Sequence, residues 1–322
     1  MTSYSISDII GIIQTRDVEL IYDQSMVYIN ETLRQYSHNI KKEIDKKSKS
    51  WEKYKKYSNP YEFINTSYDN NTMPICSYKP LSRSYFKMIE ILNHYSFSFP
   101  DKMISFHLAE GPGGFIEALS NYRNNPKDVY YGMTLMEERN DIPKWKKNEI
   151  YLDIHKHISL EYGHDNTGNL YHKTNLEYVY NKYKHSIDFV TGDGGFDYSM
   201  DFNKQEEHSL NLIFSQICFA MCLQKKGGSF VLKLFDTFTS LSVEMIYLLN
   251  YLYEEIYIIK PLTSRPANSE KYIICINFRM VQNIDQIIEK IIKSYDVQHK
   301  SITGILNIEI PLIFLDKIKE IN

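Results

Sequence analysis

GGSFVLKLFD, residues Gly227–Asp236, reads as a β-strand that is apolar on both faces, with one lysine in the middle. Continuous apolar runs of this kind belong to parallel strands covered on both sides by helices, where each face meets a packed layer instead of water. A lysine inside such a strand is costly, because an ammonium group taken out of water must be paired or lose its proton. Lys233 therefore needs carboxylates nearby, or a route for its head to the strand end. The other reading is a catalytic lysine with a tuned proton affinity.

Working outward, strand and helix signals alternate from about residue 81 to 280. Strands are predicted at 103–109, 128–135, 186–192, 228–236, 254–260 and 271–278, and helices at 82–95, 114–123, 205–226 and 240–253. Residues 136–185 are polar and irregular, with room for one short strand. Alternation at this spacing predicts an α/β, doubly wound parallel sheet. The last two strands are joined only by Pro261 to Glu270, too short for a helical crossover, so the last strand should run antiparallel.

The flanks differ. Residues 1–80 are predicted to be a helical extension and linker. Met26, Ile29, Leu33, Tyr36, Ile40 and Ile44 recur at helical spacing, and the Pro- and Asn-rich stretch 58–80 follows. Residues 281–322 show helical periodicity at 284–296 and 310–320, a C-terminal helical segment.

Composition bounds the class. The 322 residues are 43% hydrophobic and 24% charged, which suits one large α/β domain with additions or two modest domains. No window approaches the apolar length of a membrane span, and the first twenty residues lack the basic and apolar regions of a secretory signal. Cys76, Cys218, Cys222 and Cys275 lack a second Cys or His pair at ligand spacing, so no metal site is expected. Reduced thiols suit a soluble intracellular protein. The net charge of −3 argues against wholesale coating of nucleic acid and leaves room for a local basic face. Lys41 to Lys56 is such a stretch, with eight lysines against three acids and Trp51 and Tyr54 interleaved. It is either a solvated helix face or a grip on an RNA backbone, with Lys46, Lys47, Lys49 and Lys53 at its centre.

The turn after the first predicted strand reads HLAEGPGGF, 107–115, and its glycines would let a ligand approach the backbone at a helix N-terminus. It lacks a full GxGxxG, no acid ends the second strand where a dinucleotide ribose would be held, and the P-loop lysine is missing. Dehydrogenase and NTPase readings are weakened accordingly. Asp193 follows a predicted strand, at the carboxyl edge where doubly wound sheets bind ligands. Glu270 opens the antiparallel strand, so Asp193, Lys233 and Glu270 can converge in one crevice.

Four segments in order, HLAEGPGGF, DFVTGDGGFD (188–197), GGSFVLKLFDTFT (227–239) and KPLTSRPANSEKYIIC (260–275), resemble the RrmJ/FtsJ-like ribose 2′-O-methyltransferases, above all the cap-specific mRNA branch. The likeness covers about residues 59–280. It implies a Rossmann-like S-adenosylmethionine-dependent sheet of seven strands, the last inserted strand antiparallel. It also implies a Lys-Asp-Lys-Glu tetrad, here Lys87, Asp193, Lys233 and Glu270. S-adenosylmethionine is implied as cofactor, its methionine part beside Gly111, Pro112, Gly113, Gly114 and Phe115, with Asp193 near the methyl group and Asn169 and Leu170 near the adenine. His107 stands where the family often has an acid, and Asn169 where it often has an aspartate. The implied reaction is methylation of a ribose 2′-hydroxyl at the 5′ end of capped mRNA, without a metal; should Lys41 to Lys56 not grip the RNA, Arg83 and Arg265 around the crevice are the next candidate RNA contacts. Ribosomal or transfer RNA is the alternative substrate, and a catalytically silent RNA-binding scaffold the alternative of another class.

Overall fold

The structure, a computed structural model, describes residues 1–7, 11–47, 50–51, 54, 57–64, 74–136, 155–196 and 202–322. In chain order the elements are β1 (Thr2–Ser5), β2 (Val18–Tyr22), α1 (Glu31–Asp45), α2 (Ser84–His94), β3 (Ile104–Leu108), α3 (Gly114–Arg123), β4 (Val129–Met133), β5 (Ile158–Leu160), α4 (Lys173–Tyr183), β6 (Ile187–Gly192), α5 (Gln205–Leu223), β7 (Gln224–Leu234), α6 (Ser240–Leu252), β8 (Tyr253–Lys260), β9 (Lys271–Phe278), α7 (Ile284–Ser294), β10 (Ile302–Leu306) and α8 (Leu312–Ile321).

Among the described residues the main sheet has eight strands in the order β1-β8-β9-β7-β6-β3-β4-β5. Strands β7, β6, β3, β4 and β5 are mutually parallel, and β9 is antiparallel to both β7 and β8. The expected antiparallel insertion is therefore present. The eighth strand is β1, which pairs antiparallel with β8 from Thr2↔Lys260 to Ser5↔Tyr257. The chain runs from β3 outward through β4 and β5, then returns to β6 on the other side of β3. That reversal opens a crevice at the carboxyl ends of β3 and β6.

The two faces of β7 explain its composition. Phe230, Leu232 and Leu234 enter one core with α4, α5, α6 and α7, while Val231 enters the other core with Met88 of α2 and Phe115 of α3. Phe230, Val231 and Leu232 are all fully buried, each contributing roughly 1.5–3 kcal/mol of burial free energy. Lys233 alternates onto the face of Val231, the face that α2 covers.

The flanks depart from the helical expectation. Residues 1–80 contain β1 and β2 besides α1, and residues 281–322 contain β10 between α7 and α8. Strands β2 and β10 pair antiparallel as a separate ribbon, so the two additions meet each other. Strand β1, TSYS, has all four side chains exposed and thus carries no hydrophobic alternation to read. The stretch 136–185 holds β5 and also α4, whose Leu176, Val179 and Tyr183 form a buried stripe at helical spacing.

Candidate active site

Three of the four tetrad candidates sit at strand ends because of the topology. Asp193 leaves β6, and its N–H donates to the Leu108 carbonyl at the end of β3 at 3.3 Å. Lys233 is the penultimate residue of β7, and Glu270 immediately precedes β9. Lys87 lies in α2, over the same face. The Lys233 Nζ donates to the Asp193 backbone oxygen at 2.7 Å and stands 3.3 Å from its Oδ1. The Lys87 Nζ stands 2.7 Å from Glu270 Oε1. All four side chains keep 13–16% of their surface exposed, so they are sheltered yet within reach of a ligand.

Tyr272 joins the two pairs. It faces Lys233 in the β7–β9 register, and its hydroxyl lies 3.2 Å from Asp193 Oδ1 and 3.4 Å from Glu270 Oε1. Ser264 donates to Glu270 Oε1 at 2.9 Å. Burial alone would raise the Glu270 carboxyl, but Lys87 and Lys233 outweigh it and hold it at about 2. Burial, then the Asp193 and Glu270 charges, push the Tyr272 phenol well above its ordinary value, so it remains a donor.

The glycine-rich turn borders the same crevice. Gly113 has φ 105°, a conformation that suits glycine, and opens α3. A Cβ on Gly114 would fall 2.2 Å from the hydroxyls of both Ser82 and Ser84, so the start of α3 sits hard against the start of α2. Phe115 is fully buried, its ring centroid 5.9 Å from that of Tyr272, and its N–H donates to Glu110 Oε1 at 2.5 Å. Its side chain thus belongs to the core. Glu110 is only 3% exposed, and its Oε2 has no hydrogen-bond partner among the described residues. Burial and the charge of Asp193 push its carboxyl well above the usual range.

His107 is fully buried between Ser105, 2.9 Å from Nε2, and Thr191, 2.8 Å from Nδ1. Burial drives its pKa down to about 3, so it is a neutral group inside the sheet. Asn169 closes a turn by accepting the Tyr171 N–H at 2.9 Å, and Leu170 is 5% exposed in the core. Their loop is drawn against the carboxyl end of β4, where the Met136 N–H donates to the Thr167 carbonyl at 2.7 Å.

The candidate RNA contacts are distributed differently. Arg83 and Arg265 both engage the buried carboxylate of Glu62, at 2.7 Å in each case. Lys46 pairs with Glu43 on the surface, Lys47 is exposed, and Lys49 and Lys53 lie outside the described residues. A cavity of about 500 Å³ lies beside the loop 261–266, with Tyr4, Tyr61, Lys260, Leu262, Pro266 and Lys271 on its walls. Among the described residues no cluster of His, Cys, Asp or Glu is arranged to hold a metal ion, and no helix is long and apolar enough to cross a membrane.

Glu110, Tyr272 and Ser264 were not apparent as site residues from the sequence. Glu110 could have been found as the one acid inside a glycine-rich turn. Tyr272 is indistinguishable from any core aromatic of an alternating strand.

Residues 80–278 match the model of the FtsJ-like methyltransferase family. The cap-specific mRNA (nucleoside-2′-O-)-methyltransferase 1 of Drosophila melanogaster is 30% identical, over 85% of this chain and 35% of its own length. The corresponding enzyme 1 of Trypanosoma cruzi is 36% identical over 52% of this chain and 46% of its own, and enzyme 2 of Drosophila melanogaster 30% identical over 60% and 29%. The chain spans less than half the length of these curated relatives. With a family match across most of its length, covering every residue of the strand-end network, this chain belongs to the FtsJ-like methyltransferase family.

Proposed function

We propose that this chain is an S-adenosylmethionine-dependent RNA ribose 2′-O-methyltransferase acting on the first transcribed nucleotides of capped mRNA. The observation that carries the reading is the network of Lys87, Glu270, Tyr272, Asp193 and Lys233 at the strand ends, beside the glycine-rich turn. The relatives' names support the capped substrate.

S-adenosylmethionine supplies an electrophilic methyl group on a sulfonium when bound. The residues present fit it. Glu110 offers a buried carboxylate oxygen, without a partner among the described residues, suited to the donor's ammonium group, and the N-terminus of α3 suits its carboxylate. Gly111, Pro112, Gly113 and Gly114 would line the methionine part, and Asn169 and Leu170 the adenine.

A ribose 2′-hydroxyl is a weak nucleophile while protonated, so it needs alignment and a place for its proton. We assign Lys233 to orient that hydroxyl and, when neutral, to take its proton. Asp193 holds Lys233 through its backbone oxygen and carboxylate. Glu270 and Lys87 complete the charge balance, and Tyr272 fixes the two carboxylates relative to each other.

Methyl transfer from labelled donor to short RNAs tests the reading. Capped, uncapped and internal-loop substrates would be compared, and the modified nucleotide identified by digestion and mass spectrometry. Ribose methylation near the 5′ end of capped RNA alone is the expected result. Transfer only to internal sites would point to ribosomal or transfer RNA. Donor binding without transfer to any RNA would leave a silent scaffold.

A further inference from the structure

Glu62 lies 25 residues before Lys87 and more than 200 before Glu270, in a segment the proposed chemistry does not use. It opens a short turn, Glu62–Ile64, and is 2% exposed. Its two oxygens take three guanidinium contacts. Arg265 donates Nε at 3.0 Å to Oε2 and Nη2 at 2.7 Å to Oε1, a bidentate pair, and Arg83 Nη1 stands 2.7 Å from Oε2. Asn59, itself 1% exposed, caps the turn by accepting the Tyr61 N–H at 3.1 Å. Burial would raise the Glu62 carboxyl, but Arg265 and Arg83 outweigh it and hold it at about 2.

The two arginines sit on the two elements that form the Lys87–Glu270 pair. Arg83 is the residue before α2, four positions ahead of Lys87. Arg265 is in the loop that ends in Glu270, next to Ser264, which holds Glu270 Oε1. The helix and the loop are also tied by Glu90, which accepts the N–H groups of Leu262 and Thr263 at 2.7 and 3.0 Å. Arg83 Nη2 donates to the Thr263 carbonyl at 3.2 Å. From the other side Lys260 donates to the Glu270 backbone oxygen at 3.0 Å. A single buried carboxylate from the N-terminal segment therefore joins both halves of one catalytic ion pair.

We infer that Glu62 is a positioning residue: by seating Arg83 and Arg265 it sets the separation of Lys87 and Glu270. This rests on the proposed role of that pair in methyl transfer. Glu62→Gln keeps the shape and removes the charge. Its kcat should fall ~10-fold or more, since small misplacements of reacting groups carry such costs. Donor affinity, measured by calorimetry, should change less than twofold. In a Glu270→Gln background the same change should cost little further, because the group it positions is already disabled.

A purely structural Glu62 would lower the melting temperature, and either kcat per folded molecule would stay intact or any kcat loss would multiply with that of Glu270→Gln. Either of the last two results overturns the inference. Should Glu62→Gln fold poorly, Arg265→Lys retains the charge without the bidentate fork and should reproduce the kcat loss. Failure of the parent reading looks different. There Glu270→Gln alone would leave methyl transfer intact, and the inference would fall with it.

Discussion

The two sides of the crevice hold sheltered carboxylates in opposite states. On the side of the loop 261–270, Glu270 meets Lys87 at 2.7 Å and accepts from Ser264, and it is held down at about 2. On the side of the glycine-rich turn, Glu110 has one oxygen on the Phe115 N–H and the other without a partner among the described residues, and it is pushed well above the usual range. An ion pair completed within the chain needs nothing else. A carboxylate left half-satisfied in a closed site is matched to a cation from outside. On the proposed function, the loop side is finished machinery and the turn side the receptor.

The sharpest way to break this contrast is at Lys233, which belongs to the finished side. Lys233→Ala should cut methyl transfer by at least ~10²-fold while donor affinity stays near that of the parent chain. Lys233→Arg should not rescue it, because a guanidinium cannot accept the proton. Turnover near normal in a folded Lys233→Ala would remove the mechanism.

Next comes the receptor side. Glu110→Gln should weaken donor binding ~10-fold or more by losing a charge-assisted contact. The sign of the pH effect follows from the raised carboxyl. Free Glu110 gives up its proton at higher pH than an ordinary glutamate, and the donor's ammonium favours the ionised form, so donor affinity should rise with pH through the region where free Glu110 ionises. Calorimetry across pH checks this. In Glu110→Gln that rise should vanish, and its persistence would assign the linked proton elsewhere.

A smaller effect concerns acid stability. Glu62 and Glu270 are both held at about 2, below the ordinary glutamate value of ~4.3. Their folded-state pKa is depressed, so their contribution is present above pH ~4.3 and lost as pH falls toward 2. Denaturation of Glu62→Gln should show a shallower loss of stability across that window. A slope identical to that of the parent chain would mean the Glu62 charge does not stabilise the folded state.

The weakest expectation concerns the basic stretch. Neutralising Lys46, Lys47, Lys49 and Lys53 together should weaken RNA binding and reduce the log–log salt slope by ~0.7 per lost phosphate contact. Unchanged affinity and slope would leave Lys41 to Lys56 as a solvated face. Donor affinity should not move in either case.

What was legible in the sequence follows from how far each signal reaches. The central strands announced themselves because burial on both faces forces continuous apolar runs, and β9 as antiparallel because a ten-residue connection cannot cross over. Lys233 and Asp193 stood out as polar residues in apolar surroundings or at strand ends. Lys87 on its amphipathic helix was visible only through the resemblance. Glu62 was invisible, since nothing local marks a glutamate whose partners are Arg83 and a residue 203 positions away. Strands β1, β2 and β10 were missed because short edge and ribbon strands owe their form to pairing with a partner, a non-local cause. The short helix α4 is masked by its many tyrosines and lysines, although its buried stripe is present.

The four residues of β1 bring almost no apolar surface, yet they lie along the outer margin of β8 from Tyr257 to Lys260. Without them, β8 would present a bare row of amide and carbonyl groups, a ready template for a strand from another molecule. Thr2–Ser5 acts as a selvedge: it takes up those groups over half of β8 and moves that part of the sheet's margin to a polar strand of four residues, too short to make a good template.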